Sequence, residues 1–167
     1  MSVVVPPRGT KGPEFPKAAR FLFSVLQGPF HLLFGLVGDK VRIQGRPLLE
    51  LETLGAKTNA KRSTFLAWFP DTPAGIKSKS SDVADAWVVV ASNAGSPRHP
   101  AWLLNMAKHP DNVWITTGRR RIKVVPETLE GDDRDVVWQA IISVAQAYAN
   151  YQRGTDRVIP LIRLKPE

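Results

Sequence analysis

The sequence contains no cysteine, which excludes disulfides, thiolate metal sites and thiol nucleophiles. Histidine is scarce: His31, His99 and His109 stand beside Phe or Pro in unrelated contexts, without metal-ligand spacing. Acidic residues are in deficit, with 15 Asp and Glu against 23 Lys and Arg and a formal net charge of +8. No close pair of carboxylates and no Ser-His-Asp arrangement offers itself for acid–base or hydrolytic work. A long unbroken apolar run is also missing. Phe21 to Val37 is mostly apolar, but Ser24, Gln27, Gly28, Pro29 and His31 interrupt it. A membrane-spanning helix wants about 20 predominantly apolar residues, and no small-x-small cleavage site follows, as a secretory signal would require.

What is present suits one globular domain. At 167 residues, 43% of them apolar and 23% charged, the chain can bury a core without metals or cross-links. Its positive charge implies an anionic partner: nucleic acid, a membrane surface or a small anion. The five Trp do not alternate with basic residues along a strand, so single-strand nucleic-acid binding is not expected. Residues 1–16 hold four Pro and two Gly without periodicity and read as a disordered arm. Residues 17–38 read as helices packed on the domain or lying at a membrane surface, with a signal anchor and a core hairpin as alternatives. The expected location is the cytoplasm, with peripheral contact to the inner face of the membrane left open through that segment.

From Val41 the chain becomes β-rich. RPLLELET (46–53) and RSTFLAWF (62–69) read as strands, and PDTPAGIKSKSSDVAD (70–85) as a long mobile loop. AWVVVAS (86–92) is a buried strand, and Pro100 can open a helix that ends before Pro110. NVWITT and RIKVVPE pair as a hairpin across Gly118. Residues 132–152 predict one helix, with Asp132 or Asp133 at its N-cap and Val137, Ile141, Val144 and Tyr148 on one stripe. RVIPLIRLK is a final strand, its Pro160 suggesting an edge or a bulge. About six strands with few helices and no strand–helix alternation favour a mainly β fold with appended helices, a small α+β barrel.

Three segments carry chemistry. GAKTNAKR (55–62) sets a Gly turn beside Lys57, Thr58, Lys61 and Arg62, donors suited to a phosphate or carboxylate; a solvated basic turn is the plainer alternative. The loop bearing Ser92, Asn93 and Gly95 precedes a helix start, where free amides and the helix dipole favour anions. On that helix Trp102 and Asn105 are i, i+3 and share a face, either as a flat surface with a two-sided amide or as core and cap. In AYANYQRGTDR (147–157), Tyr148 and Tyr151 share a helix face, an arrangement that usually means half-buried packing.

GRPLLELETLGAKTNAKR, VVASNAGSPRHPAWLLNMAKHPDN and YANYQRGTDRVIP, in that order, resemble the deazaflavin-dependent nitroreductases, also described as deazaflavin-dependent quinone reductases, of mycobacteria and related actinobacteria. The resemblance covers residues 39–165 and implies that 39–167 form a split β-barrel related to flavin-binding barrels. It also implies coenzyme F420, a 5-deazaflavin with a phosphodiester and an oligoglutamate tail, as the hydride donor in reduced form. Lys57, Thr58 and Arg62, with Ser63 beside them, then fall at the phosphate. Ala91, Ser92 and Asn93 fall beside the ring, and Pro100, Ala101, Trp102 and Asn105 in the segment closing over the cofactor. Tyr148 falls in the cofactor and acceptor pocket with Tyr151 close by. Ser92 would donate a hydrogen bond near the ring, and Tyr148 or solvent would deliver the proton.

Four positions depart from the family pattern. Asn59 stands where Gly is usual, and Asn93 where Lys is common. Ala67 and Ala145 stand where the nitroreductases carry tyrosines of the acceptor side. The implied activity is reduction of a small apolar acceptor such as a quinone, and the loss of two aromatic hydroxyls from that pocket weakens the implication of nitroimidazole reduction. Two alternatives remain: a split-barrel module that binds F420 or lipid with little turnover, and an FMN-binding protein of the same fold.

Overall fold

The computed structural model describes residues 2–14, 42–43, 45–78 and 85–167. The apolar segment 17–38, with its expected helices and membrane contact, lies outside the described residues. Seven strands form the sheet: β1 (Arg42–Ile43), β2 (Arg46–Leu54), β3 (Lys61–Pro70), β4 (Trp87–Val90), β5 (Trp114–Thr117), β6 (Arg120–Thr128) and β7 (Leu161–Pro166). All pair antiparallel in the order β1-β2-β3-β4-β7-β6-β5, and β2 also pairs β5 through Glu50–Glu52. That last pairing closes six strands into a barrel, the mainly β architecture expected, with β1 folded back on β2 at Gly45.

Alternation along each strand divides the apolar residues between two cores. Leu49, Leu51, Trp68, Trp87, Val89, Ile115, Val124, Ile162 and Leu164 come from all six strands and fill the barrel. Phe69, Val88, Val90 and Leu161 point outward and are covered by helices. One end of the barrel is plugged by Trp102, Leu103 and Met106 of a helix spanning Ala101–Lys108. In chain order the helices are α1 (Pro73–Lys77), α2 (Ala101–Lys108), α3 (Gly131–Val144) and α4 (Ala147–Gly154).

Four expectations need correction. The segment 70–85 is not all loop. Thr72 accepts the Gly75 amide at 3.1 Å, Pro73 sits at the helix start, and Ile76 is fully buried against the outer core. Arg163 ties Asp71 at 2.6 Å just before this helix. The helix over 132–152 is broken into α3 and α4 at Ala145, whose φ of −141° and ψ of 72° are not helical. Its cap residue is Glu130 without a side-chain bond, and Asp132 and Asp133 occupy the first turn. The strand expected over RVIPLIRLK begins only at Leu161, and β7 is paired on both sides. Pro160 precedes it, where its missing N–H costs no ladder bond and its carbonyl accepts the Ala91 amide at 2.9 Å. Finally, the arm has no helix or strand, but residues 2–14 are bound to the barrel. Val4 exchanges bonds with the Thr128 hydroxyl, and Val3 and Val5 pack on the inner core.

The burial of Ile76 makes α1 a docked element. Ile76→Ala should cost about 2–4 kcal/mol, as loss of a fully buried aliphatic side chain does, when read by urea denaturation. A change below about 0.5 kcal/mol, the range of exposed substitutions, would return the segment to a mobile loop.

Candidate functional site

A cavity of about 1270 Å³ opens at the plugged end of the barrel. Its walls are the β2–β3 turn with the start of β3, the loop after β4, the N-terminal half of α2, and part of residues 5–14. Such a volume exceeds that of usual drug-sized sites, roughly 300–1,000 Å³, and suits a long ligand.

The β2–β3 turn is built on Gly55. Its carbonyl accepts the Thr58 and Asn59 amides at 3.2 and 2.8 Å, and its amide donates to Ala60 at 2.8 Å. A Cβ on Gly55 would stand 2.7 Å from the Thr58 hydroxyl oxygen. Asn59 takes a left-handed φ of 53°, which Asn tolerates better than most residues. With the turn so closed, Lys57, Thr58 and Arg62 remain exposed along the cavity with Ser63 beside them. Asn105 fastens the turn to α2: its Oδ1 accepts the Ala56 amide at 2.9 Å and its Nδ2 donates to Thr53 Oγ1 at 3.2 Å. Its side chain therefore positions the turn as well as lining the cavity.

The opposite wall is the loop after β4. Asn93, Ala94 and Gly95 all have positive φ, at 44°, 50° and 79°. Each non-glycine residue there costs about 1–2 kcal/mol, so something must hold the loop. Arg157, 3% exposed, does so. Its Nη2 donates to the carbonyls of Ser92 at 2.6 Å and Ala91 at 3.2 Å, and its Nε to Ser96 at 2.7 Å. Burial lowers its pKa below the ordinary guanidinium value, and the side chain stays cationic at neutral pH. Its Nη1 also meets His99 Nδ1 at 3.4 Å, while His99 Nε2 meets the Pro6 carbonyl at 2.9 Å. One neutral tautomer, protonated on Nε2, satisfies both contacts. Desolvation lowers the His99 pKa, opposed by the Pro6 carbonyl and reinforced by the Arg157 charge, which favours that neutral ring.

The structure brings Lys57, Thr58, Arg62, Ser63, Asn93, Pro100, Ala101, Trp102 and Asn105 onto one cavity. Trp102 serves both roles considered for it, packing in the inner core at 9% exposure while lining the cavity. Ala91 and Ser92 are buried at the strand end just before Asn93 and are not lining residues. Ala67, Ala145, Tyr148 and Tyr151 are not brought to the cavity either. Ala145 is buried in the outer core, and the two tyrosines pack against that core edge to face, their rings 6.0 Å apart. The Tyr148 ring also meets Phe69 at 5.8 Å. Burial, with a smaller contribution from Tyr151, pushes the Tyr148 phenol up to about 12. Sequence reasoning missed Arg157, His99 and the lining residues Val5, Pro6 and Arg8. The one local signal was an arginine held between acidic and apolar neighbours in GTDRVIP.

The profile of a family described as F420H(2)-dependent quinone reductase matches residues 35–166. An F420H(2)-dependent quinone reductase of Mycobacterium tuberculosis is 37% identical over 127 residues, 74% of this chain and 76% of that protein. Among solved structures, an F420-H2 dependent reductase superposes with a TM-score of 0.56 at 28% identity, covering 75% of this chain and 99% of its own. Another, described as a domain-swapped dimer, gives a TM-score of 0.58 at 27% identity over 86% of this chain and 98% of that one.

Two outcomes test the site. Arg157→Met leaves buried carbonyls of the β4 loop without donors and should cost about 3 kcal/mol or more, read by denaturation; a near-neutral result would show that the loop holds itself. Burial raises the Tyr148 phenol from its ordinary 10.0 to about 12 in the native protein. The native state then holds the proton that the unfolded chain releases, so stability should fall as pH rises from about 10 to about 12. Tyr148→Phe should remove that part of the slope.

Proposed function

The chain belongs to the F420H(2)-dependent quinone reductase family, and from that premise we propose that it is an F420-dependent reductase that passes hydride to an apolar acceptor of the quinone type. The observation that carries this reading is that one cavity has a cationic, hydroxyl-bearing turn on one wall and a flat indole beside a backbone loop on another. The donor set fits the cofactor: a phosphodiester and several carboxylates call for Lys57, Arg62, Thr58 and Ser63, and the volume accommodates a ligand much longer than a bare ring.

Coenzyme F420, when bound, supplies a two-electron hydride from its reduced deazaflavin ring. The protein supplies the rest. Lys57 and Arg62 bind the phosphate by charge-assisted hydrogen bonds, with Thr58 and Ser63 adding hydroxyl donors. Asn93 would lie beside the ring, with the buried Ala91 and Ser92 supporting it from the strand end behind. Pro100, Ala101 and Trp102 shield one side from water, and Asn105 holds the phosphate turn in register with them. Solvent entering the open cavity delivers the proton, since Tyr148 lies in the outer core.

Fluorescence titration with F420 and with FMN tests the cofactor, and steady-state oxidation of reduced F420 by menaquinone analogues tests the acceptor. Lys57→Ala and Arg62→Ala should each weaken F420 binding about tenfold at low salt, and less as salt screens the exposed charges. Micromolar protein that binds FMN but not F420 would sink the reading. Tight F420 binding without acceptor-dependent oxidation would reduce the protein to a binding module.

A further inference from the structure

Residues 2–14 lie outside the segment that the family profile matches, yet Val5, Pro6, Arg8 and Glu14 line the cavity. Their path is fixed at both ends. Near the start, Val4 pairs with Thr128 on β6. Farther along, the Asp156 carboxylate accepts the Thr10 amide at 2.8 Å, the Thr10 hydroxyl at 2.5 Å and the Lys11 amide at 2.9 Å. Thr155 donates its hydroxyl to the Lys11 carbonyl at 2.8 Å, and Gly9 donates its amide to Pro97 at 3.0 Å.

The two glycines show that the fit is specific. A Cβ on Gly9 would stand 2.5 Å from Asp156 Oδ1, and one on Gly12 would stand 2.3 Å from the Gly95 carbonyl. Gly12 also has a φ of 142°. The backbone of this segment therefore lies closer to the loop and to Asp156 than any other residue type permits. Arg8, between the two anchors, is an exposed side chain on the cavity wall, which Arg98 also lines.

We propose that residues 2–14 are a strap latched by Asp156, and that the strap presents Arg8 as a second cationic contact for an acidic group of the F420 tail. Asp156 is the positioning residue and Arg8 the binding residue. The inference rests on the F420 reading and adds to it a contact from outside the family's matched segment. The lining places Lys57 and Arg62 on the β2–β3 side of the cavity and Arg8 on the strap, so an anion with separated charges is held from two walls. The Thr10 hydroxyl, followed by the Lys11 amide, pushes the Asp156 carboxyl down to about 2, so the latch is ionised at neutral pH.

The test compares F420 carrying its glutamate tail with the deazaflavin riboside that lacks both phosphate and tail. Arg8→Ala should weaken binding of the tailed cofactor about tenfold at low salt, the effect of one charge-assisted hydrogen bond, and leave riboside affinity unchanged. Asp156→Ala and Gly12→Ala should reproduce that loss. In both, the Thr10 and Lys11 amides should exchange hydrogen faster than in wild type. Asp156→Asn, whose amide oxygen still accepts, should restore much of the tail-dependent affinity. Wild type binding F420, with affinities unchanged in Arg8→Ala and Asp156→Ala, overturns the strap and leaves the cofactor reading intact. No F420 binding by wild type overturns both.

Discussion

The buried guanidinium of Arg157, paired with no carboxylate among the described residues, holds the cavity end of this barrel together. Burying a cation is expensive unless its donors are all used, and only arginine offers a planar fork that can satisfy several carbonyls at once. Arg157 spends its fork on Ala91, Ser92 and Ser96, the carbonyls flanking a run of left-handed residues. Gly95, last of that run, packs where a Cβ would sit 3.0 Å from the Tyr151 carbonyl, so the loop is pressed between α4 and the guanidinium. The neighbours of Arg157 act in the same place: Thr155 and Asp156 bind the N-terminal segment. Three successive residues after α4 thus fix two sides of one cavity.

The closed barrel explains why that cavity lies where it does. With six strands paired in a ring, the inner side chains fill the lumen, and the remaining solvent access to the inner core is at the ends. At one end α2 inserts Trp102, Leu103 and Met106, and the same helix turns Asn105 toward the β2–β3 turn. Helical spacing makes this division possible, since i and i+3 share a face that meets both the lumen and its rim. Trp102 is therefore core and cavity wall together, and the two roles weighed for it in the sequence do not compete.

What was legible in the sequence was local or periodic. The strands announced themselves by alternation, and the hairpin at Gly118 and the helix after Pro100 by turn and cap residues. The helix break at Ala145 left no trace, because Ala and Gln are good helix formers; both helices nonetheless pack on the outer core from either side of it. α1 was signalled by Thr72-Pro73, but the surrounding Ser and Lys obscured it. The N-terminal segment was the furthest from legible. Its Pro and Gly composition reads as disorder, whereas it is held by bonds to residues far along the chain, such as that from the Thr10 amide to Asp156, separated by 146 positions. Gly9 and Gly12 are needed there for close approach, which composition does not distinguish from flexibility. In the site, the basic turn was legible from its Gly and its cations and the loop after β4 from its small polar residues; Arg157 carried only the weak local signal of GTDRVIP, which does not say that the arginine will be buried.

The departures from the family pattern divide in a way that the geometry explains. Asn59 stands where Gly is usual, at a φ of 53°, and asparagine is among the residues that accept this conformation at least cost. The turn around Gly55 consequently closes with the same hydrogen bonds that expose Lys57 and Thr58. The change at 145 is of another kind. Ala145 is buried at the junction of α3 and α4, within the outer core beside Ile141 and Trp138. A tyrosine at that position would have to displace packed neighbours or move the junction, and α4 would then carry Tyr148 and Tyr151 with it. The β2–β3 turn thus accommodates its substitution through backbone conformation, whereas Ala145 fills a packing position of the outer core that a ring would overfill. The two departures therefore bear on different places: Asn59 on the turn that lines the cavity, Ala145 on the packing of the α3–α4 junction away from it.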